Sequence, residues 1–170
     1  STITTTSTPT VTAINGGPMC AAGPGVTCSA SMSPMGTFNW STGATAASIS
    51  VSPSSTTTYT VTGTFGGCYA TATTTVVVNA NPVVTLSPSN TVCLGSCVVL
   101  TTSVAGGSGG ITYSWIPATS LSATTISNPV SCPTVWTSYT VVATDMLGCM
   151  GTATTYVDID NLLSMGTTTT

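Results

Sequence analysis

The sequence predicts an all-β chain that folds as two tandem β-sandwich domains. Short runs of Val, Ile, Thr and aromatic residues, which favour strands, follow one another along the whole chain. Gly and Pro separate these runs at short intervals, as is typical of turns. The strong helix formers Glu, Lys, Arg and Gln are absent. One series of residues also occurs twice, which indicates two copies of one domain.

The two copies are residues 10–79 and residues 83–159. The aligned positions are Cys20 with Cys93, Phe38 with Tyr113, Trp40 with Trp115, Ser48-Ile49-Ser50 with Thr125-Ile126-Ser127, Tyr59 with Tyr139, and Cys68 with Cys149. We therefore expect a first domain at residues 1–80, with a Thr-rich N-terminal segment, and a second domain at residues 81–161. Residues 162–170 are expected to form an apolar and then Thr-rich tail.

Alternation of apolar and polar residues predicts the strands of each copy. Tyr59 and Val61 are two residues apart and face one side of a strand, while the adjacent threonines face the other. This period of two is typical of a half-buried strand. The strands of the first copy are expected near residues 10–14, 25–31, 37–41, 48–52, 57–64 and 69–78. About seven short strands in 70–80 residues form an immunoglobulin-like β-sandwich, with two sheets around one core.

Three tryptophans divide into two groups. Trp40 and Trp115 each follow an aromatic residue, Phe38 or Tyr113, by two positions and so share its face of the strand. We expect this to be the inner face, with both indoles in the core. Trp136 has no counterpart in the first copy and is the better candidate for an exposed aromatic ring.

The composition excludes several classes of function. Charged residues make up 2% of the chain, and there is no Lys, Arg, His or Glu. Binding to nucleic acid phosphates or to anionic lipid requires cations, so neither is expected. A catalytic nucleophile needs a nearby base, so we expect no enzyme and no cofactor. No apolar run approaches the ~20 residues of a membrane span, so no membrane insertion is expected.

The composition also indicates a folded chain with an uncharged surface. The hydrophobic fraction of 41% and the mean hydropathy of +0.48 are too high for a disordered stalk. Because charged residues are nearly absent, the surface is expected to be solvated by Ser and Thr hydroxyls, with O-linked sugars on the threonine clusters.

Seven cysteines in a small chain indicate an oxidising, extracellular compartment. Four of them occupy equivalent positions in the two copies. Equivalent positions predict equivalent bridges, which would be Cys20–Cys68 and Cys93–Cys149.

The other three cysteines have no such duplication. Cys97 and Cys132 belong to the second copy only and are candidates for a further disulfide, although spacing alone does not fix the connectivity. Cys28 aligns with Leu100 at a strand position. A buried apolar thiol is favoured there over an intermolecular disulfide.

The acidic residues offer little for a metal. Asp158 and Asp160 close the second copy, and Asp145 is the only other carboxylate. Calcium takes 6–8 oxygen ligands, so a solvated strand end is favoured and no metal site is expected.

The order of motifs resembles a known family. A Cys shortly before a Gly precedes an aromatic-x-Trp strand, then Thr-Thr-Thr-Tyr-Thr-Val-Thr, then Gly-Cys and a closing Thr/Val strand. This order resembles the Ig-like/PKD-like repeats of large secreted surface proteins, of the Bacteroidota gliding and adhesin type. The resemblance covers nearly the whole chain, and it implies a structural module and not an activity.

The ends of the chain predict how copies associate. Leu162, Leu163 and Met165 follow the last core strand, and Ile3 is the one large apolar residue of the N-terminal segment. Such segments can dock on a neighbouring sandwich, and head-to-tail contacts of this kind produce filaments. We therefore expect a structural subunit or repeat segment of an extracellular filament, whose partners are copies of itself.

The alternative function is an adhesin or carbohydrate-binding module that binds surface glycans. It would need exposed aromatic side chains with polar neighbours. Trp136, Tyr156 and the glycine-rich residues 106–110 are the candidates.

Overall fold

The computed structural model describes residues 8–160, and every regular element in this range is a β-strand. The all-β prediction is therefore confirmed. The chain divides into two compact units between Asn79 and Ala80, one residue earlier than the predicted boundary.

The first domain contains eight strands. They are β1 (Thr10–Asn15), β2 (Met19–Cys20), β3 (Val26–Ser33), β4 (Thr37–Trp40), β5 (Ser48–Val51), β6 (Thr57–Phe65), β7 (Cys68–Val76) and β8 (Val78–Asn79). One sheet has the order β1-β3-β5 and the other the order β4-β6-β7, while β2 pairs parallel with β8. The predicted strands agree to within about two residues, but the sequence missed the two-residue β2 and joined β7 and β8 into one strand.

The second domain repeats this topology. Its strands are β9 (Val83–Leu86), β10 (Asn90–Cys93), β11 (Val98–Val99), β12 (Thr102–Ala105), β13 (Thr112–Ile116), β14 (Val130–Ser131), β15 (Thr137–Thr144) and β16 (Met150–Asp160). One sheet has the order β10-β16-β15-β13, and β9 with β12 and β11 with β14 form the facing layer. Two facing sheets of mainly antiparallel strands with this connectivity define an immunoglobulin-like β-sandwich, as predicted.

Each domain is organised around a buried tryptophan. Trp40 and Trp115 are each 2% exposed, as predicted. Trp40 Nε1 donates to the carbonyl oxygen of Ala46 at 2.9 Å, and Trp115 Nε1 donates to that of Ile126 at 2.9 Å. A buried indole N–H needs an acceptor, so this hydrogen bond fixes where the chain returns after the tryptophan strand.

The predicted alternation is confirmed in the long strands. Tyr139, Val141 and Ala143 are fully buried in β15, and Val61 is fully buried in β6. The outward-facing threonines pair across strands, for example Thr58 with Thr75 at 2.8 Å between hydroxyl oxygens. These strands therefore pack apolar side chains into the core on one face and present uncharged hydroxyls on the other.

The alignment of Ile49 with Ile126 is wrong by three residues. Cys28 pairs with Ile49 in the first domain, and the equivalent Leu100 donates its N–H to the carbonyl of Pro129 at 2.9 Å. Pro129 therefore occupies the position of Ile49. Since proline has no N–H to donate, β14 keeps only two ladder pairs where β5 has four.

Ser131 occupies the position of Val51 in the first domain, because Val98 pairs with Ser131 as Val26 pairs with Val51. Ser131 is fully buried, and its hydroxyl has no hydrogen-bond partner within residues 8–160. An unpaired buried hydroxyl costs about 1–3 kcal/mol.

We predict that Ser131→Ala stabilises the second domain by about 1 kcal/mol, because it removes this unpaired hydroxyl. Calorimetry of the full chain should show one unfolding transition raised by about 4–8 °C. Ser50→Ala, which removes an exposed hydroxyl from β5, serves as the control and should leave both transitions unchanged. An unchanged or lowered midpoint for Ser131→Ala would contradict the prediction.

Candidate functional site

The predicted Cys93–Cys149 bridge is wrong. Cys93 lies beside Asp160 at the last residue of β16, whereas Cys149 immediately precedes Met150, its first residue. β16 has 11 residues, so at about 3.3 Å per residue the two cysteines lie about 35 Å apart. A disulfide requires Cα atoms within about 7 Å. Cys93 carries an exposed thiol, while Cys149 is buried and disulfide-bonded.

The predicted Cys20–Cys68 bridge is wrong for the same reason. Cys20 pairs with Asn79 at the end of β8, and Cys68 is the first residue of β7, across the hairpin from Phe65. The length of β7 and β8 separates them, again by about 35 Å along the strands. Cys20 is disulfide-bonded and Cys68 carries a thiol.

The Cys97–Cys132 disulfide is present, with its Cα atoms 4.3 Å apart. Cys97 precedes β11 and Cys132 follows β14, so the bridge crosslinks the two-residue ladder that Pro129 shortens. The two cysteines are 35 residues apart in sequence. Closing such a loop contributes about 4 kcal/mol in the chain-entropy model.

Cys28 is fully buried in the core of the first domain, as predicted. Burial raises the pKa of the Cys28 thiol. A neutral thiol among apolar side chains behaves as a small hydrophobic group, and it is protected from oxidants and alkylating reagents.

Asp145 organises the hairpin that joins β15 to β16. Its Oδ1 accepts hydrogen bonds from the N–H groups of Leu147 and Cys149, both at 2.9 Å. Its Oδ2 accepts one from the N–H of Ser108 at 2.8 Å, which ties the glycine-rich loop to this hairpin. Burial raises the pKa of Asp145, but hydrogen bonds from backbone N–H groups outweigh burial and lower it below its ordinary value. Asp145 therefore has a structural role.

No metal centre is found within the described residues 8–160, because no three His, Cys, Asp or Glu side chains come together there. Asp158 accepts a hydrogen bond from the N–H of the adjacent Ile159 at 2.9 Å. In the same part of the chain, no helix is long and apolar enough to cross a membrane.

Trp136 and Tyr156 form an exposed aromatic pair. Their ring centroids lie 6.0 Å apart and their planes are tilted by 30°. Trp136 is 57% exposed and Tyr156 is 44% exposed. Trp136 directly precedes β15, and Tyr156 lies opposite Ser138 of the same strand, so the sheet brings the rings together on its outer face.

A groove of about 430 Å³ adjoins Tyr156, between β9 and β16. β16 pairs with β10 only from Val157 onward, so within the described chain the edge of its earlier residues has no partner strand. Five serine and threonine side chains line the groove, namely Thr85, Ser87, Ser89, Thr154 and Thr155. Trp136, Tyr156 and this groove are defined here as the aromatic surface.

The glycine-rich residues 106–110 do not belong to the aromatic surface. Asp145 holds them at the β15–β16 hairpin, whereas Trp136 precedes the other end of β15. β15 has 8 residues, which separates the two regions by about 30 Å. The three sequence candidates thus form one pair and one remote loop. The predicted assembly residues Ile3, Leu162, Leu163 and Met165 lie outside the described residues.

The topology defines the chain as two tandem immunoglobulin-like domains. No family model matches the sequence, and no curated protein sequence does. Among solved structures, the chain is similar to the titin I-band fragment I67–I69, with 12% identity, a TM-score of 0.46 and coverage of 92% of this chain and 67% of the fragment.

Two further solved structures show a comparable likeness. For the three N-terminal domains of the bacteriophage RB49 highly immunogenic outer capsid protein, the identity is 15%, the TM-score 0.44 and the coverage 89% of this chain and 59% of that one. For the N-terminal Ig1-2 module of Drosophila receptor protein tyrosine phosphatase DLAR, the identity is 13% and the TM-score 0.38. The match covers 91% of this chain and 100% of that module. These similarities are too distant to transfer a function.

The burial of Cys28 predicts its reactivity. In the native chain, maleimide should label the exposed Cys93 rapidly and Cys28 only after denaturation, because Cys28 is inaccessible and burial raises its pKa. Mass spectrometry of chymotryptic peptides measures this, since the chain has no Lys or Arg for trypsin. Cys93→Ser should remove the rapid label from that peptide, while the partly exposed Cys68 thiol can still be labelled. Equal labelling rates for the two thiols would contradict the structure.

The hydrogen bonds to Asp145 predict an acid-dependent stability. Its folded-state pKa is lowered, so its contribution is complete above the ordinary Asp pKa of about 3.9 and is lost as the pH falls through the lower folded value. Asp145→Asn should lower the melting temperature at neutral pH, because its amide places a donor against a backbone N–H. Between about pH 5 and pH 2 it should lose less stability than the wild type.

The control for this experiment is Asp160→Asn, which removes the same charge from an exposed position. Thermal unfolding followed by circular dichroism gives the melting temperatures. An Asp145→Asn variant with the pH dependence of the wild type would show that Asp145 does not supply this stability.

Proposed function

We propose that this chain is a repeat segment of an extracellular surface fibre, of the Ig-like/PKD-like type found in secreted Bacteroidota surface proteins. We also propose that copies join head to tail through their terminal segments. The observation that best supports a fibre is the path of the chain through each domain. It enters at one end of the sandwich and leaves at the other.

Hydrogen bonds define this path in the first domain. Asn15, at the end of β1, donates its side-chain N–H to the carbonyl of Thr75 at 2.7 Å, close to the end of β7. The first and last strands therefore run in the same direction. In the second domain β10 and β16 pair in parallel, with the same consequence. A domain of this kind serves as a spacer, because each copy moves the chain forward.

The surface chemistry supports close association of copies. Hydroxyl pairs such as Thr12 with Ser31 at 2.7 Å and Thr140 with Thr154 at 3.0 Å occupy outer sheet faces where soluble domains usually have charges. Because the chain carries few charged residues, electrostatic repulsion between neighbouring copies is weak. The Cys97–Cys132 disulfide supports an extracellular location, and the exposed threonines are acceptors for O-linked sugars.

A cavity on the first domain is suited to receive the apolar tail of another copy. It has a volume of about 220 Å³ and is lined by Ala30, Met32, Met35 and Phe38 among others. Met35 is 88% exposed at its edge. Methionine side chains adapt to apolar partners of varied shape. We propose that Leu162, Leu163 and Met165 of a neighbouring copy dock in this cavity.

Replacing Leu162, Leu163 and Met165 by Ser should leave folded monomers and remove fibres, because the docking contact loses its apolar side chains. Met35→Glu, on the acceptor side, should have the same effect. Negative-stain electron microscopy and sedimentation measure assembly, and circular dichroism verifies folding.

The matched control replaces three exposed apolar side chains elsewhere by Ser, namely Leu94, Val135 and Met150. It should assemble like the wild type. Fibres that persist in both the tail and the Met35 variants would overturn head-to-tail docking. A wild-type chain that stays monomeric under all conditions would overturn the fibre itself.

A further inference from the structure

We infer that the aromatic surface of the second domain binds a neutral glycan chain. In the proposed complex, one pyranose ring stacks on Trp136 and a neighbouring ring stacks on Tyr156. The hydroxyls of the adjoining groove bind the sugar hydroxyls. This proposal does not depend on the fibre, since it concerns the outer face of one domain.

The internal repeat shows that the fold does not require aromatic residues at these positions. Thr137 pairs with Val157 in the second domain as Thr57 pairs with Val76 in the first. The positions equivalent to Trp136 and Tyr156 are therefore those directly before Thr57 and Val76, which are both threonines, Thr56 and Thr75. The same fold thus carries two threonines at these positions in the first domain and two large aromatic rings in the second.

The two rings are also positioned by the backbone. The Thr137 hydroxyl donates to the carbonyl of Val135 at 2.8 Å and so fixes the turn that presents Trp136. The same bond joins Thr57 to the carbonyl of Ser55 at 2.7 Å in the first domain. Tyr156 is held within β16. Little ordering of these rings is needed on binding, which favours affinity.

The charge of the chain limits what can bind. There is no Lys, Arg or His in the sequence, so an anionic ligand would find no opposite charge. Asp158, two residues from Tyr156, adds a hydrogen-bond acceptor on the same side of β16. Apolar ring faces beside hydroxyl and carboxylate groups suit a ligand with apolar C–H faces and hydroxyl edges. A neutral pyranose has both.

The geometry further indicates a chain and not a single sugar. The centroids are separated by 6.0 Å, about the length of one sugar unit, and the 30° tilt suits successive rings that twist about their linkage. The groove of about 430 Å³ extends the surface beyond Tyr156 on the side of β9. The hydroxyl of Ser89 can donate to or accept from a further sugar, and that of Thr85, which donates to the carbonyl of Ser103 at 3.4 Å, can accept from one.

The test uses the full chain on an array of neutral oligosaccharides. The strongest ligand of the array is then titrated while the indole N–H signals are followed by NMR. Trp136 should shift, and the buried Trp40 and Trp115 should not. Trp136→Thr and Tyr156→Thr introduce the residues of the first domain, so the fold is expected to tolerate them. Each should weaken binding by about tenfold, and the double variant should abolish it.

The matched control is Tyr69→Thr, which removes a tyrosine that is 71% exposed on the first domain. It should bind like the wild type. Absence of binding to every neutral oligosaccharide by the folded wild type would overturn the proposal, as would full binding by the double variant. An oligosaccharide that shifts only backbone signals along the edge of β16, and not the Trp136 indole signal, would place the binding site elsewhere and would also overturn the proposal. Loss of glycan binding with normal fibres would leave the assembly proposal intact.

Discussion

The hydrogen bond of one buried indole determines the arrangement of each domain. Trp40 and Trp115 occupy the same position in the two sandwiches, and each N–H needs an acceptor that water cannot supply. The loop after the tryptophan strand must therefore return a carbonyl to that point, after 6 residues in the first domain and 11 in the second. The next strand begins two residues beyond this carbonyl in the first domain, at Ser48. Loop length can vary between copies because the bond, and not the loop, positions that strand.

The second domain shows how one weakened ladder is compensated. Pro129 stands where the first domain has Ile49, and the ladder next to it is reduced to two pairs. The Cys97–Cys132 disulfide crosslinks this ladder directly. The first domain has four pairs at this place, and the positions equivalent to Cys97 and Cys132 are Gly25 and Ser52, so no disulfide forms there. Backbone pairing and covalent crosslinking thus serve as alternatives within one chain.

Residues on the outer faces differ more between the two domains than residues of the core do. Core positions such as Val61 and Val141 are equivalent in both domains, because both must fill the same space between two sheets. Outer positions are free to differ, and Trp136 and Tyr156 stand where the first domain has threonines. A repeat with similarly packed cores and different faces can keep one mechanical role and add a binding role on one copy. The fibre and the glycan proposals are therefore compatible.

The sequence by itself determined the all-β class, the duplication, most strand positions and the burial of Trp40 and Trp115, because parity and repetition are local properties of the chain. It also identified Trp136 and Tyr156 as candidates. Only the tertiary structure decided which strand ends meet. The parallel pairing of β10 with β16 separates Cys93 from Cys149, and the register of β15 with β16 brings Trp136 to Tyr156. Direction and register depend on contacts between distant segments, which neither composition nor spacing encodes.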